Sequence, residues 1–349
     1  MRIPKYLSPT SVGLFYQDKR EFYLRYLADN RPPRFKQTQP MSIGSGFDAF
    51  VKCYISEKLF GEVRENFELA SLFETQVEEH NREWSWPNSK YVFEAYKKSG
   101  ALADLMIELE KALNEPRFEF TVEGRVSHQR DVNYSDYDLS IPLLGKPDVY
   151  FVTRDGAHVI LDWKVNGYCG RGNTSPNKGY IKIRDAWDHL IIKPSRGSGG
   201  QHKDAQIMNV NGISINVMHN LEDVYTSWAD QLAIYGWLLG EDIGAPFIVG
   251  IEQIVGNGTK RQLLEGLDVP LLRVATHRCR ISSDYQNQLM DKVAGVWDAI
   301  QAGPEAVFKD ECSTPEECLA MAEMLDEIYK AYEDDGHEHN DWFGSITRD

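Results

Sequence analysis

The sequence lacks the features that mark several common protein classes. Its five cysteines are odd in number and form no Cys-x-x-Cys pair, which argues for reduced thiols and against a zinc or iron–sulfur site. It has no run of about 18 or more apolar residues, and its first residues lack the apolar core of a signal peptide. We therefore expect a soluble cytoplasmic protein without a membrane partner.

Two familiar enzyme signatures are also missing. The nine histidines form neither His-Glu-x-x-His nor a Cys/His zinc motif. The run Gly256-Asn257-Gly258-Thr259-Lys260 lacks the spacing of a phosphate-binding loop and predicts a hairpin turn instead. These absences argue against an ATPase and against the common zinc enzymes.

The formal net charge of −15 is unexpected for a nucleic-acid-binding protein, but the charges are unevenly distributed. Residues 1–36 carry eight basic and three acidic side chains, and residues 164–203 carry eight and two. Residues 304–343 carry thirteen acidic and two basic side chains. Because local fields steer a polyanion, both basic stretches are candidate DNA-binding regions. The acidic end is either a solvated helix face or a contact for a partner protein.

The pattern of apolar residues predicts three regions. Residues 1–117 form helices that pack on a core, residues 118–303 form an α/β core with a basic mobile loop at 166–203, and residues 304–349 form an acidic helical tail. The first helix begins at the cap Ser8 and continues to about Leu27. A second helix starts near Ser45, after a Gly-Ser-Gly turn.

The most informative stretch is a predicted hairpin. The β-rich runs 145–152 and 158–165 flank a turn at Asp155-Gly156, which predicts antiparallel pairing. Side chains alternate along a strand, so Asp162 and Lys164 point the same way.

The register of this hairpin decides whether Asp148 joins them. A three-residue loop with Gly156 left-handed places Asp148 opposite Asp162. A two-residue loop instead places Asp148 opposite Trp163 and turns the two carboxylates to opposite faces. Both registers are compatible with the sequence.

The first register would create a metal site. Two close carboxylates on a half-buried sheet repel each other, and a cation compensates for this cost. Oxygen ligands suit magnesium or manganese, and a lysine beside the ion can orient or deprotonate a water molecule. The alternative is an ordinary surface strand with alternating charges.

A helix predicted over residues 223–239 carries Gln231 and Tyr235 on one face. Taken in order, Gly145-x-x-Asp148, Asp162-Trp163-Lys164 and Gln231-x-x-x-Tyr235 resemble the RecB-type branch of the PD-(D/E)XK nuclease superfamily. The segments Leu7–Ser11 and Gly44–Asp48 are similar to that branch's amino-terminal helices.

This resemblance implies an α/β fold with a restriction-endonuclease-like core, in which helices flank a mixed sheet, and with helical N-terminal and insertion regions. It implies that Asp148, Asp162 and the backbone carbonyl of Trp163 ligate Mg²⁺ or Mn²⁺. Lys164 would position or activate the attacking water, and Gln231 and Tyr235 would approach the scissile strand. The alternative for this last pair is a core tyrosine with a surface glutamine.

Two further ligands are candidates. Many relatives carry a histidine ligand where this chain has Asp48, which is alternatively a helix-start residue that complements the helix dipole. Glu123 is either a ligand or, with Glu119, part of a solvated strand face. Some relatives hold an iron–sulfur cluster, but the cysteines here are too few, and we expect no cluster.

The implied activity is metal-dependent hydrolysis of DNA, by an exonuclease acting on ends or single strands in replication, recombination or repair. The short stand-alone form suits a phage protein acting in the host cytoplasm. The alternatives are a non-catalytic module that binds nucleic acid or protein, and an endonuclease. The candidate DNA-binding residues are Arg20, Arg25, Arg171, Lys178, Lys182, Arg184, Lys193, Arg196 and Lys203.

Overall fold

The computed structural model describes residues 1–32, 35–61, 67–118, 122–129, 138–166, 207–210, 213–216, 221, 226–240, 247–255 and 273–328. The helices are α1 (Pro9–Gln17), α2 (Lys19–Phe22), a π-helical turn (Tyr23–Leu27), α3 (Gln39–Phe60), α4 (Leu69–Gln76), α5 (Glu79–Ser99), α6 (Ala101–Glu110), α7 (Thr226–Leu238), α8 (Ser283–Ala302), α9 (Pro304–Val307) and α10 (Pro315–Ile328). The strands are β1 (Arg117–Phe118), β2 (Val122–Gln129), β3 (Asp138–Gly145), β4 (Val149–Val152), β5 (His158–Asn166), β6 (Ile207–Val210), β7 (Ile213–Asn216), β8 (Phe247–Val255) and β9 (Arg273–Cys279).

Five of these strands form a mixed sheet in the order β1-β4-β5-β8-β9. The β5–β8 pair is parallel, and the other neighbours are antiparallel. Parallel neighbours need a crossover connection, and α7 lies between β5 and β8 in the chain. The predicted α/β class, with helices flanking a mixed sheet, is confirmed.

Each face of the sheet packs against its own set of helices. On β5, Val159, Leu161 and Trp163 join the buried cluster formed with α3, α5 and α6. Ile160 belongs to the other cluster, which contains the buried side chains of α7. Because strand residues alternate, Asp162 and Lys164 share the face of Ile160 and therefore face α7.

The first helix begins as predicted, at a reciprocal cap. The Ser8 hydroxyl accepts from the Ser11 amide at 3.2 Å, and the Ser11 hydroxyl accepts from the Ser8 amide at 2.8 Å. The helix does not continue unbroken to Leu27, however. It ends at Asp18, whose carboxylate accepts from the Glu21 amide at 2.9 Å and starts α2. A second capping side chain thus divides the predicted helix.

The predicted start of the second helix near Ser45 is wrong, because α3 begins at Gln39 with a proline in its first turn. The expected glycine turn lies inside this helix. A Cβ on Gly46 would lie 2.2 Å from Ser89 Oγ of α5. Glycine therefore serves close packing of α3 on α5 rather than chain reversal. It also follows that Asp48 lies well inside α3 and is not a helix-start residue.

The acidic C-terminal segment lies against the basic N-terminal helices. Lys19 pairs with Asp310 at 2.7 Å, and Arg20 pairs with Glu311 at 3.1 Å. Helix α10 also buries Cys318, Ala322 and Leu325 in the same cluster as the N-terminal helices. Part of the acidity is thus paired within the chain, and a protein partner for this end stays a prediction, as do the three region boundaries.

Among the described helices, none combines the length and apolar character that crossing a membrane requires.

Candidate functional site

The hairpin adopts the three-residue loop. The partners Val149–Leu161 through Val152–His158 continue to Thr153 and Ala157, joined by an amide-to-carbonyl hydrogen bond of 2.8 Å. Gly156 has φ +85°, a left-handed conformation that glycine adopts readily. The same register, extended in the other direction, places Asp148 opposite Asp162. Of the two registers open from the sequence, the structure has the one that brings the carboxylates to one face.

Asp148 lies just before β4, and its carboxylate is held from two sides. Its Oδ2 accepts from the Trp163 amide at 2.9 Å. Its Oδ1 lies 3.5 Å from the Lys52 ammonium. Strand β5, through the Trp163 amide, and helix α3, through Lys52, therefore fix its orientation.

Asp162 is the most buried acid of the site, with 3% of its surface exposed. Burial, and then the neighbouring charge of Asp148, raise the pKa of its carboxyl to about 7, while the Lys164 ammonium opposes this shift. The buried Oδ2 contacts Lys164 Nζ at 2.5 Å but accepts no well-aligned hydrogen bond. A carboxylate in this position gains from a further cation.

Lys164 is connected to α7 through Gln231. The ammonium donates to Gln231 Oε1 at 3.0 Å. The amide nitrogen of the same glutamine donates to the Tyr235 hydroxyl at 2.8 Å and lies 3.4 Å from Asp162 Oδ1. The structure therefore brings together Asp148, Asp162, Lys164, Gln231 and Tyr235, the five predicted catalytic residues.

Gly145 allows this approach of α7. A Cβ at that position would lie 2.5 Å from Tyr235 Cδ1 and 2.9 Å from Leu238 Cδ1, closer than packed atoms come. Burial and the negative charge of Asp162 raise the pKa of the Tyr235 hydroxyl, which therefore stays protonated. The glycine of the Gly145-x-x-Asp148 motif thus makes room for the tyrosine ring.

On the opposite face of the sheet, the Trp163 side chain is part of a buried chain of hydrogen bonds. Its indole nitrogen donates to the Tyr96 hydroxyl at 3.3 Å, and Tyr96 donates to the Glu252 carboxylate. Glu252 is 1% exposed. These contacts anchor strand β5 at Trp163, which lies between Asp162, the candidate metal ligand, and Lys164, the candidate water-positioning residue.

The donors at this position fit a hard divalent cation. Asp148 and Asp162 supply carboxylate oxygens, the ligands that Mg²⁺ and Mn²⁺ prefer, and one buried oxygen lacks an aligned donor. Elsewhere in the described part of the chain, as here, no three His, Cys, Asp or Glu side chains converge closely enough to form a metal site on their own. The Trp163 carbonyl is the third predicted ligand, and its role stays a prediction.

The two further candidate ligands differ in outcome. Asp48 carries its carboxylate toward the site, where Oδ2 lies 2.8 Å from Lys52 Nζ and accepts from Gln76 Nε2 at 2.9 Å. Glu123 lies on β2 opposite Leu144, and its side chain is outside the described part of the structure.

These residues line a cavity of about 660 Å³. It extends from the hairpin past α3 to the segment before that helix, where Phe35 is 65% exposed. The charged residues in its lining are Arg25, Lys36, Lys52, Lys146, Lys164, Asp48, Asp148 and Asp162. The cavity thus has a basic excess in a chain whose formal net charge is −15.

The predicted DNA-binding residues separate into three groups. Arg25 lines the cavity, pairs with Glu21 at 2.6 Å and places its guanidinium 5.1 Å from the Phe35 ring centroid. Arg20 is paired with Glu311, away from the cavity lining. The others lie outside the described residues, namely Arg171, Lys178, Lys182, Arg184, Lys193, Arg196 and Lys203.

Sequence reasoning missed Lys52 and Phe35. Lys52 follows Asp48 by four residues, a spacing that places both on one helix face and offered a signal for the pair. Phe35 follows the run Pro32-Pro33-Arg34, a pattern that is typical of a helix end and carries no sign of a binding site. No periodicity marks an isolated exposed aromatic residue.

The family model described as the PD-(D/E)XK nuclease superfamily matches residues 6–175, a segment that contains the whole hairpin. A solved structure titled "Crystal structure of SSO0001" aligns with 10% identity over 87% of this chain and 96% of that chain, at a TM-score of 0.23. No curated protein sequence matches the chain.

The family match ends before α7, so the contacts of Gln231 and Tyr235 come from the structure alone. The RecB-type branch stays a prediction. The sheet and the hairpin register give an α/β fold with a restriction-endonuclease-like core, and residues 6–175 match the family model of the PD-(D/E)XK nuclease superfamily.

Proposed function

We propose that this protein is a divalent-metal-dependent nuclease that hydrolyses DNA phosphodiester bonds. The proposal is carried by one observation: Lys164 and Gln231 contact Asp162, across the hairpin from Asp148, in the wall of one open cavity. The match to a nuclease superfamily supports the same reaction class.

Asp148 and Asp162 would hold the ion, with the Trp163 carbonyl as a third ligand. A divalent ion bound there would polarise the phosphate and lower the pKa of a bound water. Lys164, fixed between Asp162 at 2.5 Å and Gln231 at 3.0 Å, would orient the attacking water and offset negative charge on the phosphate.

The cavity lining supports a nucleic acid as the substrate. Five lysine and arginine side chains line it against three aspartates, which favours a polyanion. Phe35 presents an exposed ring beside the Arg25 guanidinium, an arrangement on which an unpaired base can stack. We therefore propose an exonuclease that acts on DNA ends or single strands, in replication, recombination or repair.

The test uses end-labelled single-stranded and duplex DNA with Mg²⁺ or Mn²⁺. The wild type should release short labelled products, and Lys164→Ala should lose at least about 100-fold in rate, as removal of a transition-state contact does. Lys58→Ala, which removes an exposed lysine of α3, is the matched control. Intact DNA with the wild type under all these conditions would refute the nuclease and leave a binding module.

A covalently closed circle separates the two nuclease classes. An exonuclease leaves the circle intact and degrades it after linearisation. Cleavage of the closed circle at a rate comparable to the linear form would establish an endonuclease instead. RNA of the same sequence tests the choice of DNA.

A further inference from the structure

Lys52 is a charged residue buried inside the molecule. Only 1% of its side chain is exposed. Its ammonium lies 2.8 Å from Asp48 Oδ2, one helical turn earlier, and 3.5 Å from Asp148 Oδ1. A buried ammonium is costly to desolvate unless carboxylates compensate, and here two of them do.

The position of Lys52 differs from that of an ordinary structural ion pair. It lines the same cavity as Lys164 and Gln231, and it contacts a candidate metal ligand directly. Each carboxylate of the hairpin therefore has its own lysine, Lys52 for Asp148 and Lys164 for Asp162. Helix α3 supplies one of these lysines and strand β5 the other.

The charges of the site indicate how many divalent ions it accepts. Of the charged side chains that line the cavity, the three aspartates 48, 148 and 162 and the two lysines 52 and 164 are joined by ion pairs at the hairpin, and together these five leave one net negative charge when all are ionised. One divalent ion and one phosphodiester bring the sum to zero. A second divalent ion would leave two positive charges uncompensated in a largely buried site, which opposes its binding.

We propose that Lys52 is a fixed cation of the site, which occupies the position between Asp48 and Asp148 that a second divalent ion would need. The protein then binds one divalent ion, at Asp148 and Asp162. Asp48 holds Lys52 and is not a metal ligand. The inference rests on the proposed function for the location of the ion, but not on cleavage.

The test counts ions without DNA. Mn²⁺ is titrated into the whole protein, and free Mn²⁺ is measured by electron paramagnetic resonance. The wild type should bind one Mn²⁺ per chain at the site. Lys52→Met, similar in length but uncharged, should bind two, and Lys52→Met combined with Asp48→Asn should return to one. Lys58→Met, the same change at an exposed position of α3, should leave the wild-type count unchanged.

Two Mn²⁺ per wild-type chain would overturn the inference, as would a single ion in a folded Lys52→Met variant. If Lys52→Met does not fold, Asp48→Asn decides: it should still bind one ion, and loss of that ion would make Asp48 a ligand. One bound Mn²⁺ in a wild type that leaves DNA intact would sustain this inference while the nuclease assignment fails. Two bound ions in a protein that cleaves DNA would overturn this inference and leave the nuclease assignment intact. The absence of Mn²⁺ binding would overturn this inference, and DNA cleavage would still decide the nuclease assignment.

Discussion

Tyr235 packs directly on Gly145, so closely that a Cβ on the glycine would lie 2.5 Å from the tyrosine ring. We expect Gly145→Ala to push α7 away from the hairpin. The overpacking should cost about 1–3 kcal/mol of unfolding free energy, measured by urea denaturation. The rate of DNA cleavage should fall more than this loss of folded protein explains, because Gln231 moves with Tyr235.

Gly13→Ala is the matched control. Gly13 lies inside α1, and a Cβ added there would meet no atom within 4 Å, so alanine should stabilise the helix by about 0.5–1 kcal/mol. Equal cleavage rates for wild type and Gly145→Ala would show that the contact between α7 and the hairpin does not set the geometry of the site.

The raised pKa of Asp162 predicts how metal binding depends on pH. With a carboxyl pKa of about 7, the metal-free site holds a proton below that pH, and the ion must displace it. Apparent Mn²⁺ affinity should therefore rise about tenfold per pH unit up to pH 7 and level off above it. Calorimetric titrations between pH 5.5 and 8.5 measure this, and a flat profile would contradict it.

The carboxyl group of Asp162 also makes the stability of the metal-free protein depend on pH. This stability falls as pH rises, whereas the metal affinity increases. Because the pKa of Asp162 rises from 3.8 to about 7 on folding, the folded chain holds more protons than the unfolded chain in that interval. The contribution of this group to the unfolding free energy is therefore full below about pH 4 and is lost as pH rises toward 7. Asp162→Asn should remove this dependence and abolish stabilisation by Mn²⁺, as thermal unfolding at several pH values would show.

Most residues of the site could be predicted from the sequence, but the residues packed around them could not. The order of the motifs predicted that the hairpin and α7 residues form one site. Strand alternation and helical spacing, which are local rules, predicted which side chains share a face. The register could not be predicted because two- and three-residue loops suit the same residues, and the left-handed conformation of Gly156 distinguishes them only in the structure. The glycine at 46 could not be assigned to packing, because Ser89, its neighbour, is distant in sequence. Lys52 was missed for the same reason, since burial of a lysine depends on which helices surround it.

Phe35 provides a prediction about substrate choice. Its ring is 65% exposed at the cavity, beside the Arg25 guanidinium. Phe35→Ala should weaken binding of a single-stranded oligonucleotide by about 1–3 kcal/mol, roughly 5- to 150-fold, because a stacked base loses its partner. Fluorescence anisotropy in metal-free buffer measures the affinity without cleavage.

Two variants control for this change. Phe35→Trp should retain the affinity, because it preserves an aromatic face. Leu113→Ala removes an equally exposed apolar side chain, 65% exposed, that does not line the cavity, and should leave binding unchanged. Unaltered affinity in Phe35→Ala would exclude base stacking at this position and would favour recognition through the phosphates alone.

The last prediction concerns the buried hydrogen bonds among Trp163, Tyr96 and Glu252, on the face of the sheet opposite the site. Tyr96 donates to Glu252 and accepts from the Trp163 indole, and burial followed by the charge of Glu252 raises the pKa of its hydroxyl. Tyr96→Phe removes one donor from a carboxylate that is 1% exposed. The variant should lose about 1–3 kcal/mol of unfolding free energy in urea denaturation, the contribution of a buried hydrogen bond to a charged group. Tyr54→Phe, on a half-buried tyrosine of α3, is the control.

A double-mutant cycle with Glu252→Gln separates the charge from the packing. If the lost hydrogen bond to the charged carboxylate causes the loss, Tyr96→Phe should cost less in the Glu252→Gln background than in the wild type, because a hydrogen bond to a neutral amide is weaker than one to a carboxylate. Equal costs in both backgrounds would assign the effect to the Trp163 contact instead. In that case cleavage should fall together with stability, since Trp163 lies between Asp162 and Lys164 and its amide donates to Asp148 at 2.9 Å.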